Sequence, residues 1–213
     1  MTKRIVAVLG DFYHKKDNLI KSMELGLKRA EAEVEVEYST ARELSDQLKS
    51  LPDAVILSTE NRLNPEDDNV ETWMDERVAK EISDYVKNGG SWLAWHSGLA
   101  SYDDLTDYTD MLRGHFKFHP KEHQEVTYFP EQGTAYESLS TFILVDEHYF
   151  VHCDDNHEGI FMRSESIDGS SIAGWSHTYG KGKVVCLTPA HNEAGLADAA
   201  FIDVLRKSLI ELL

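Results

Sequence analysis

A doubly wound α/β fold, mostly parallel with antiparallel additions in its C-terminal half, is predicted by three features of this sequence. Apolar strand-like runs alternate with amphipathic helical stretches through the N-terminal half. Those runs are uninterrupted, as in Ala54-Val55-Ile56-Leu57, which marks strands covered on both faces. Beyond Leu112 the helical periodicity gives way to short strand-like runs separated by polar or glycine-bearing turns. Parallel strands with right-handed helical crossovers follow from the first two features, and mixed pairing from the third.

Taken in order, a strand over residues 4–9 precedes a helix over 17–30, a strand over 33–37, a helix over 41–48 and a strand over 53–58. A helix is expected over 69–88, because Val70, Trp73, Met74, Val78, Ile82, Tyr85 and Val86 recur at helical spacing, and Gly89-Gly90 stops it. A buried strand ending at Trp95 follows. The C-terminal strands are read at 125–129, 141–145, 159–163, 171–178 and 184–188, the last two joined as a hairpin through Gly180 and Gly182. A closing helix over 198–212 carries an apolar stripe of Phe201, Val204, Leu205, Leu209 and Leu212.

Composition bounds the partners. With 213 residues, 41% of them hydrophobic, the chain can build one sizeable core, and one domain over 1–213 is expected. Lys and Arg total 21 against 38 Asp and Glu; the resulting charge of -17 repels phosphate backbones and anionic membrane surfaces. Neither nucleic acid nor a membrane is expected as a partner. No run approaches a membrane span and no secretory leader precedes the first strand, so a cytoplasmic protein is expected. Cys153 and Cys186 lack CxxC spacing and are expected as free thiols. The acidic surface is compatible with a homodimer, with no residue pattern locating an interface.

The segment from Gly89 to Gly98 ends a helix, runs through a buried strand and delivers His96 into a sharp turn. Ligands of open α/β sheets bind beyond the carboxyl ends of the strands, so His96 is the first candidate. Asp11 with His14, Glu60 with Asn61, and His191 with Glu193 occupy equivalent positions after other strands. Together they line one rim, where imidazoles and carboxylates serve proton transfer or metal binding. Glu147 also leaves a strand, as a candidate base or metal ligand, with Tyr149 beside it able to stack on a sugar ring. Trp175 has the same two readings, stacking or packing.

Ten histidines are present, and His115, His119 and His123 recur at every fourth position. On a helix they would share a metal-binding face, but Pro120 argues for a loop. His119 stays a site candidate, and His115 and His123 are expected at the surface or in packing. His152, Cys153, Asp154, Asp155 and His157 form a donor-rich patch, read either as a soft-metal site or as an exposed loop. Ser97 lacks a GxSxG setting and Cys186 sits in an apolar run, so neither is favoured as a nucleophile.

The ordered set Gly89-Gly90 through His96, Arg113-Gly114-His115-Phe116 through His119-Pro120, Asp146-Glu147-x-Tyr149, Trp175 through Gly182-Lys183-Val184, and Ala190-His191-Asn192, with Phe12-Tyr13-His14 early, resembles the ThuA-like, or trehalose-utilisation, family. The match covers nearly the whole chain. It implies a class I glutamine-amidotransferase-like, flavodoxin-type sheet. His96 then takes the place of the elbow cysteine, and His191-Asn192-Glu193 is similar to the late His-Pro-Glu segment with Asn192 replacing proline. Without the thiolate the covalent step of glutamine hydrolysis is lost, so amidotransferase activity is not expected. Ala190 stands where the family usually has glycine, and its methyl is expected to narrow the pocket or shift His191.

The resemblance implies carbohydrate metabolism, with 3-keto-glycosides as substrates of a lyase or hydrolase. A base would remove the proton beside the ketone and the C1 leaving group would depart. In one version His96, His119 and His191 bind a divalent metal (zinc, manganese or nickel) and Glu147 or Glu193 is the base. In the other, His96 is the base and His191 the electrophilic donor. Asp11, His14, Glu60, Asn61, Tyr149 and Trp175 are the expected substrate-binding residues, and no nucleotide cofactor is expected. The alternatives are a non-catalytic sugar-sensing or partner-binding domain and an amidotransferase-derived structural subunit.

Overall fold

The structure is a computed structural model that describes residues 2–213. It runs β1 (Lys3–Leu9), α1 (Lys16–Arg29), β2 (Val34–Ser39), α2 (Leu44–Leu48), β3 (Ala54–Ser58), α3 (Glu76–Lys87) and β4 (Ser91–Trp95). Helix α4 (Thr106–Leu112) then leads into β5 (Gly114–Phe118), β6 (Gln124–Pro130), β7 (Phe142–Asp146), β8 (Phe150–Cys153), β9 (Ile160–Ser166), β10 (Gly169–Tyr179) and β11 (Gly182–Leu187). The chain closes with α5 (Glu193–Leu196) and α6 (Ala199–Leu212).

Nine strands form one sheet in the order β2-β1-β3-β4-β11-β10-β9-β6-β7, and β5 pairs separately with β8. From β2 to β11 every pairing is parallel; from β11 to β7 every pairing is antiparallel. The parallel half has the flavodoxin-like order, its fifth place filled by β11, which the chain reaches only after building the antiparallel wing. Fold class and mixed pairing therefore match the expectation from the sequence.

The parallel strands are apolar throughout because alternate side chains feed two cores. Ile5, Ala7 and Leu9 of β1, Ala54 and Ile56 of β3, and Leu93 and Trp95 of β4 join α1 and α6 on one face. Val6, Val8, Val55, Leu57, Trp92 and Ala94 join α2, α3 and α4 on the other. Each fully buried Val, Leu or Ile contributes about 1.5–3 kcal/mol, so the register of these strands is strongly specified. At the antiparallel edge only one face is covered: in β7 Phe142 and Leu144 are buried while Ile143 and Val145 are exposed. No helix among the described residues is long and apolar enough to cross a membrane.

Two expected elements are corrected. The helix expected over 69–88 begins only at Glu76, where the Asp75 side chain accepts from Val78 N–H and caps it. Val70 is exposed, and Trp73 and Met74 reach the core from a loop instead, held by Asn61, whose side-chain oxygen accepts from Met74 N–H and whose carbonyl accepts from Trp73 N–H. The helix expected over 41–48 starts as a 3-10 turn, Ala41–Glu43, with a Thr40/Glu43 capping box, before α2. The β10–β11 hairpin turns through Gly180 at φ +61°. Strands β5 and β8 and helix α4 lie in stretches too short to show a period.

Candidate metal centre

Four strand ends build the site. After β1, Gly10 turns at φ +90°, where a Cβ would stand 2.7 Å from Lys16 Cβ, so the chain doubles back tightly. In that turn Asp11 Oδ1 accepts from the backbone N–H groups of Tyr13 and His14 and from His14 Nδ1 at 2.6 Å, while Oδ2 accepts from Glu60 N–H. Burial opposes the Asp11 charge, but His14 outweighs it and lowers the carboxyl pKa. The His14 proton thus sits on Nδ1, and Nε2 is bare.

After β4, His96 takes φ +47°, a left-handed conformation rare outside glycine. The following turn presses against β3: a Cβ on Gly98 would lie 2.3 Å from the Leu57 carbonyl oxygen. His96 is wholly buried, and its Nδ1 donates to the Thr188 carbonyl at the end of β11. Burial is the main cause of its lowered pKa, which keeps the ring neutral. Nε2 therefore carries a lone pair, and this buried atom has no hydrogen-bond partner.

His191 follows β11, its backbone N–H donating to Asp146 Oδ1. Asp146 also accepts from Tyr128 OH, so a wholly buried carboxylate positions the loop. Glu147, directly after β7, places Oε2 3.4 Å from His96 Nε2 and 3.3 Å from His191 Nδ1. His191 Nδ1 is 3.0 Å from His14 Nε2. Burial works against the Glu147 charge, but the His191 and His96 imidazoles beside it hold its pKa far below the usual carboxylate range; in return Glu147 overcomes the burial of His191 and raises the imidazole pKa.

One ligand atom from each of His14, His96, Glu147 and His191 lies within 4.8 Å of every other, a set that can hold a metal ion. The donors fit such an ion. Three imidazoles and a carboxylate suit a first-row divalent cation. His14 and His96 each donate the second ring N–H to an acceptor, as metal-bound histidines do, and the unpartnered Nε2 of His96 faces the gap.

Beside this set opens a cleft of about 270 Å³ lined by residues that include Glu60, Arg62, Ser101, Phe116, His119 and Tyr149. Tyr149 stacks on His96 with ring centroids 4.0 Å apart. Glu60 is buried: Oε2 accepts from Arg62 Nε at 2.8 Å and Ser101 Oγ at 3.0 Å, and Oε1 has no partner.

The structure thus brings together His96, Glu147, His191, His14, Asp11, Glu60 and Tyr149. Several assignments need correction. His14, read as substrate-binding, joins the metal-competent set, and His119, read as a ligand of it, stands 3.8 Å from Glu147 Oε1 on the outer side. Glu193 is exposed on α5, facing Lys21 and Leu25 of α1 instead of the cleft, because Asn192 caps that helix and turns it away. Asn61 is spent on the Trp73–Met74 loop. Trp175 is wholly buried, its indole N–H donating to the Leu112 carbonyl, and is a packing residue. The Ala190 methyl is buried in the core near Gly195, so it does not narrow the cleft.

The donor-rich patch does not form a site. His157 Nδ1 accepts from Gly159 N–H, which places its proton on Nε2, and burial pushes the Cys153 thiol up to about 12. Both cysteines are free. Ser97 makes no hydrogen bond to a histidine. His123 is exposed, as expected, and lies 3.9 Å from Glu147 Oε1. Asp146 is a positioning group that the sequence signals only by its place beside Glu147 at a strand end.

The parallel half of the sheet has the flavodoxin-like order, and the left-handed turn after β4 presents His96 to a gap where three imidazoles and a carboxylate meet. A family model described as ThuA, trehalose utilisation, matches residues 5–210, and the chain belongs to this family. In structure it is similar to a ThuA-like protein from Parabacteroides merdae, 12% identical over 97% of this chain and 88% of that one, with a TM-score of 0.71. It is also similar to a β-galactosidase from Rahnella sp. R3, 14% identical over 100% of this chain and 32% of that one, TM-score 0.64. An α-L-fucosidase from Paenibacillus thiaminolyticus is 13% identical over 100% of this chain and 33% of that one, TM-score 0.61. The chain spans about a third of the length of these two glycosidases. At such identities the likeness is one of fold. No curated protein matches the sequence.

Proposed function

We propose that this chain is a metal-dependent enzyme of carbohydrate metabolism that cleaves an oxidised, 3-keto glycoside, with His14, His96, His191 and Glu147 holding one divalent cation. The observation that carries the reading is the unpartnered, buried Nε2 of His96 facing the other three donors. The carbohydrate role follows the family's description. A bound zinc, manganese or nickel ion would supply Lewis acidity toward the ketone oxygen.

The chain's own residues divide the remaining work. Glu147 is held anionic by two imidazoles and is a poor proton acceptor, and Glu193 lies elsewhere, so the base is reassigned to Glu60, a buried residue beside the cleft whose Oε1 has no hydrogen-bond partner. Arg62 and Ser101 fix the other oxygen of Glu60 and so aim it. Glu60 takes the C2 proton, the C2–H electron pair becomes a C1–C2 double bond, and the C1–oxygen bond breaks with protonation of the leaving alcohol. Addition of water then completes hydrolysis. Phe116 and Tyr149 give the ring an apolar wall.

The test is release of nitrophenol from p-nitrophenyl 3-keto-glucoside by metal-loaded protein. Turnover that falls about 100-fold or more in Glu60→Gln, with KM little changed, supports the reading. Binding of the keto-glycoside without turnover by wild type would replace it with the sugar-sensing alternative.

A further inference from the structure

We propose that the cavity over the carboxyl ends of β1 and β2 is a phosphate-binding site, separate from the four-donor centre and independent of it. The cavity holds about 380 Å³, a volume in the range of small-ligand pockets. Lys16, Arg42 and Arg62 all line it, and the only carboxylate lining it among the described residues is Asp11. Both Asp11 oxygens are already engaged by Tyr13, His14 and Glu60. In a chain with 38 acidic residues against 21 Lys and Arg, three cations around one concavity are a local reversal of charge.

The cations keep donors for an anion. Arg62 gives Nε and Nη2 to Glu60 at 2.8 and 2.7 Å, which leaves Nη1. Arg42 meets Glu71 through Nη2 at 3.2 Å, but these side chains are 70% and 67% exposed, so solvent screens the pair. Glu43, whose charge feels Lys16, accepts from the N–H and Oγ1 of Thr40. Lys16 opens the 14-residue helix α1, and the N-cap Lys15 offers it no side-chain acceptor, so the positive end of the helix is left for an anion. A second observation is Ser39 on the same wall. It is 5% exposed, and its Oγ has no hydrogen-bond partner although Glu43 stands near. A buried hydroxyl without a partner costs stability, and a phosphate oxygen would supply the acceptor. Guanidinium forks, an ammonium, a helix N-terminus and a hydroxyl together suit a tetrahedral dianion. The overall charge of -17 repels polyanions, so the ligand is one phosphate group, free or carried by a small monoester.

The experiment is isothermal titration calorimetry of the full chain with sodium phosphate alone and, in parallel, with glucose 6-phosphate. The expected result is one saturable site per chain, weakened by added salt, with affinity about tenfold or more lower in both Lys16→Gln and Arg42→Gln. Both side chains are exposed, so an unchanged melting temperature reports that each variant is folded. Tighter binding of glucose 6-phosphate supports the site as one for an ester, and equal affinities support it as one for the free ion. No binding of either probe, or binding that both variants keep, overturns it. Binding should also persist in His191→Ala; its loss there at an unchanged melting temperature would place the phosphate on the four-donor centre and overturn the separate site.

Discussion

His96 and Glu147 come from opposite wings of the sheet, one after parallel β4 and one after antiparallel β7, yet His96 Nε2 and Glu147 Oε2 stand 3.4 Å apart. Neither residue has a local reason to be there. The left-handed turn at His96 and the Asp146 contact to His191 bring the two loops to one gap, which makes the pair a sensitive reporter of the centre.

If the four donors hold a cation, removing one of them should lower the metal content. In His96→Ala and His191→Ala, plasma mass spectrometry of purified protein should show metal content down about tenfold or more against wild type. Retained stoichiometric metal in both variants would move the centre elsewhere.

Asp11 should matter without touching the ion. Asp11→Asn keeps the loop shape but weakens the bond to His14 Nδ1 that holds its tautomer. Metal affinity measured by competition with a chelator should fall about 10–100-fold while the melting temperature moves little.

His177 predicts an acid-labile step. Burial, chiefly, lowers its pKa to about 4, although its bond to the Met111 carbonyl works the other way. Because the unfolded chain binds this proton near the ordinary 6.5, its contribution to stability is full above pH 6.5 and is lost as pH falls toward 4. The difference in unfolding free energy between wild type and His177→Gln should shift against wild type by about 2 kcal/mol over that window, allowing for partial solvent access. Urea titrations at each pH would read it, and parallel curves would refute it.

Trp175 separates packing from substrate contact. Trp175→Phe leaves the buried Leu112 carbonyl without its indole donor, at a cost of about 1–3 kcal/mol. Metal affinity and KM should stay at wild-type values; a selective rise in KM would restore Trp175 to the substrate surface.

Much of this was legible in the chain. The continuous apolar runs at 54–57 and 92–95 announce strands buried on both faces, because a period of two with both phases apolar leaves no solvent side. His96 was visible as the polar residue after such a strand. Local rules compete before α3: Trp73 and Met74 have helical spacing, but Asp75 caps the helix after them and Asn61 ties them into a loop.

The sequence by itself determined the sheet class, the strand ends that carry function, and several residues placed at those ends. Only the tertiary structure decided which of them share one gap: His14 joined the metal-competent set, His119 and His123 took its outer side, Glu193 and Trp175 left, and Asp146 became the post that holds the His191 loop. The physical reason is that strand periodicity is written in neighbouring residues, whereas a four-donor centre depends on sheet order. That order set β11 beside β4 and carried β7 to the far edge, from which its loop returns Glu147 to His96.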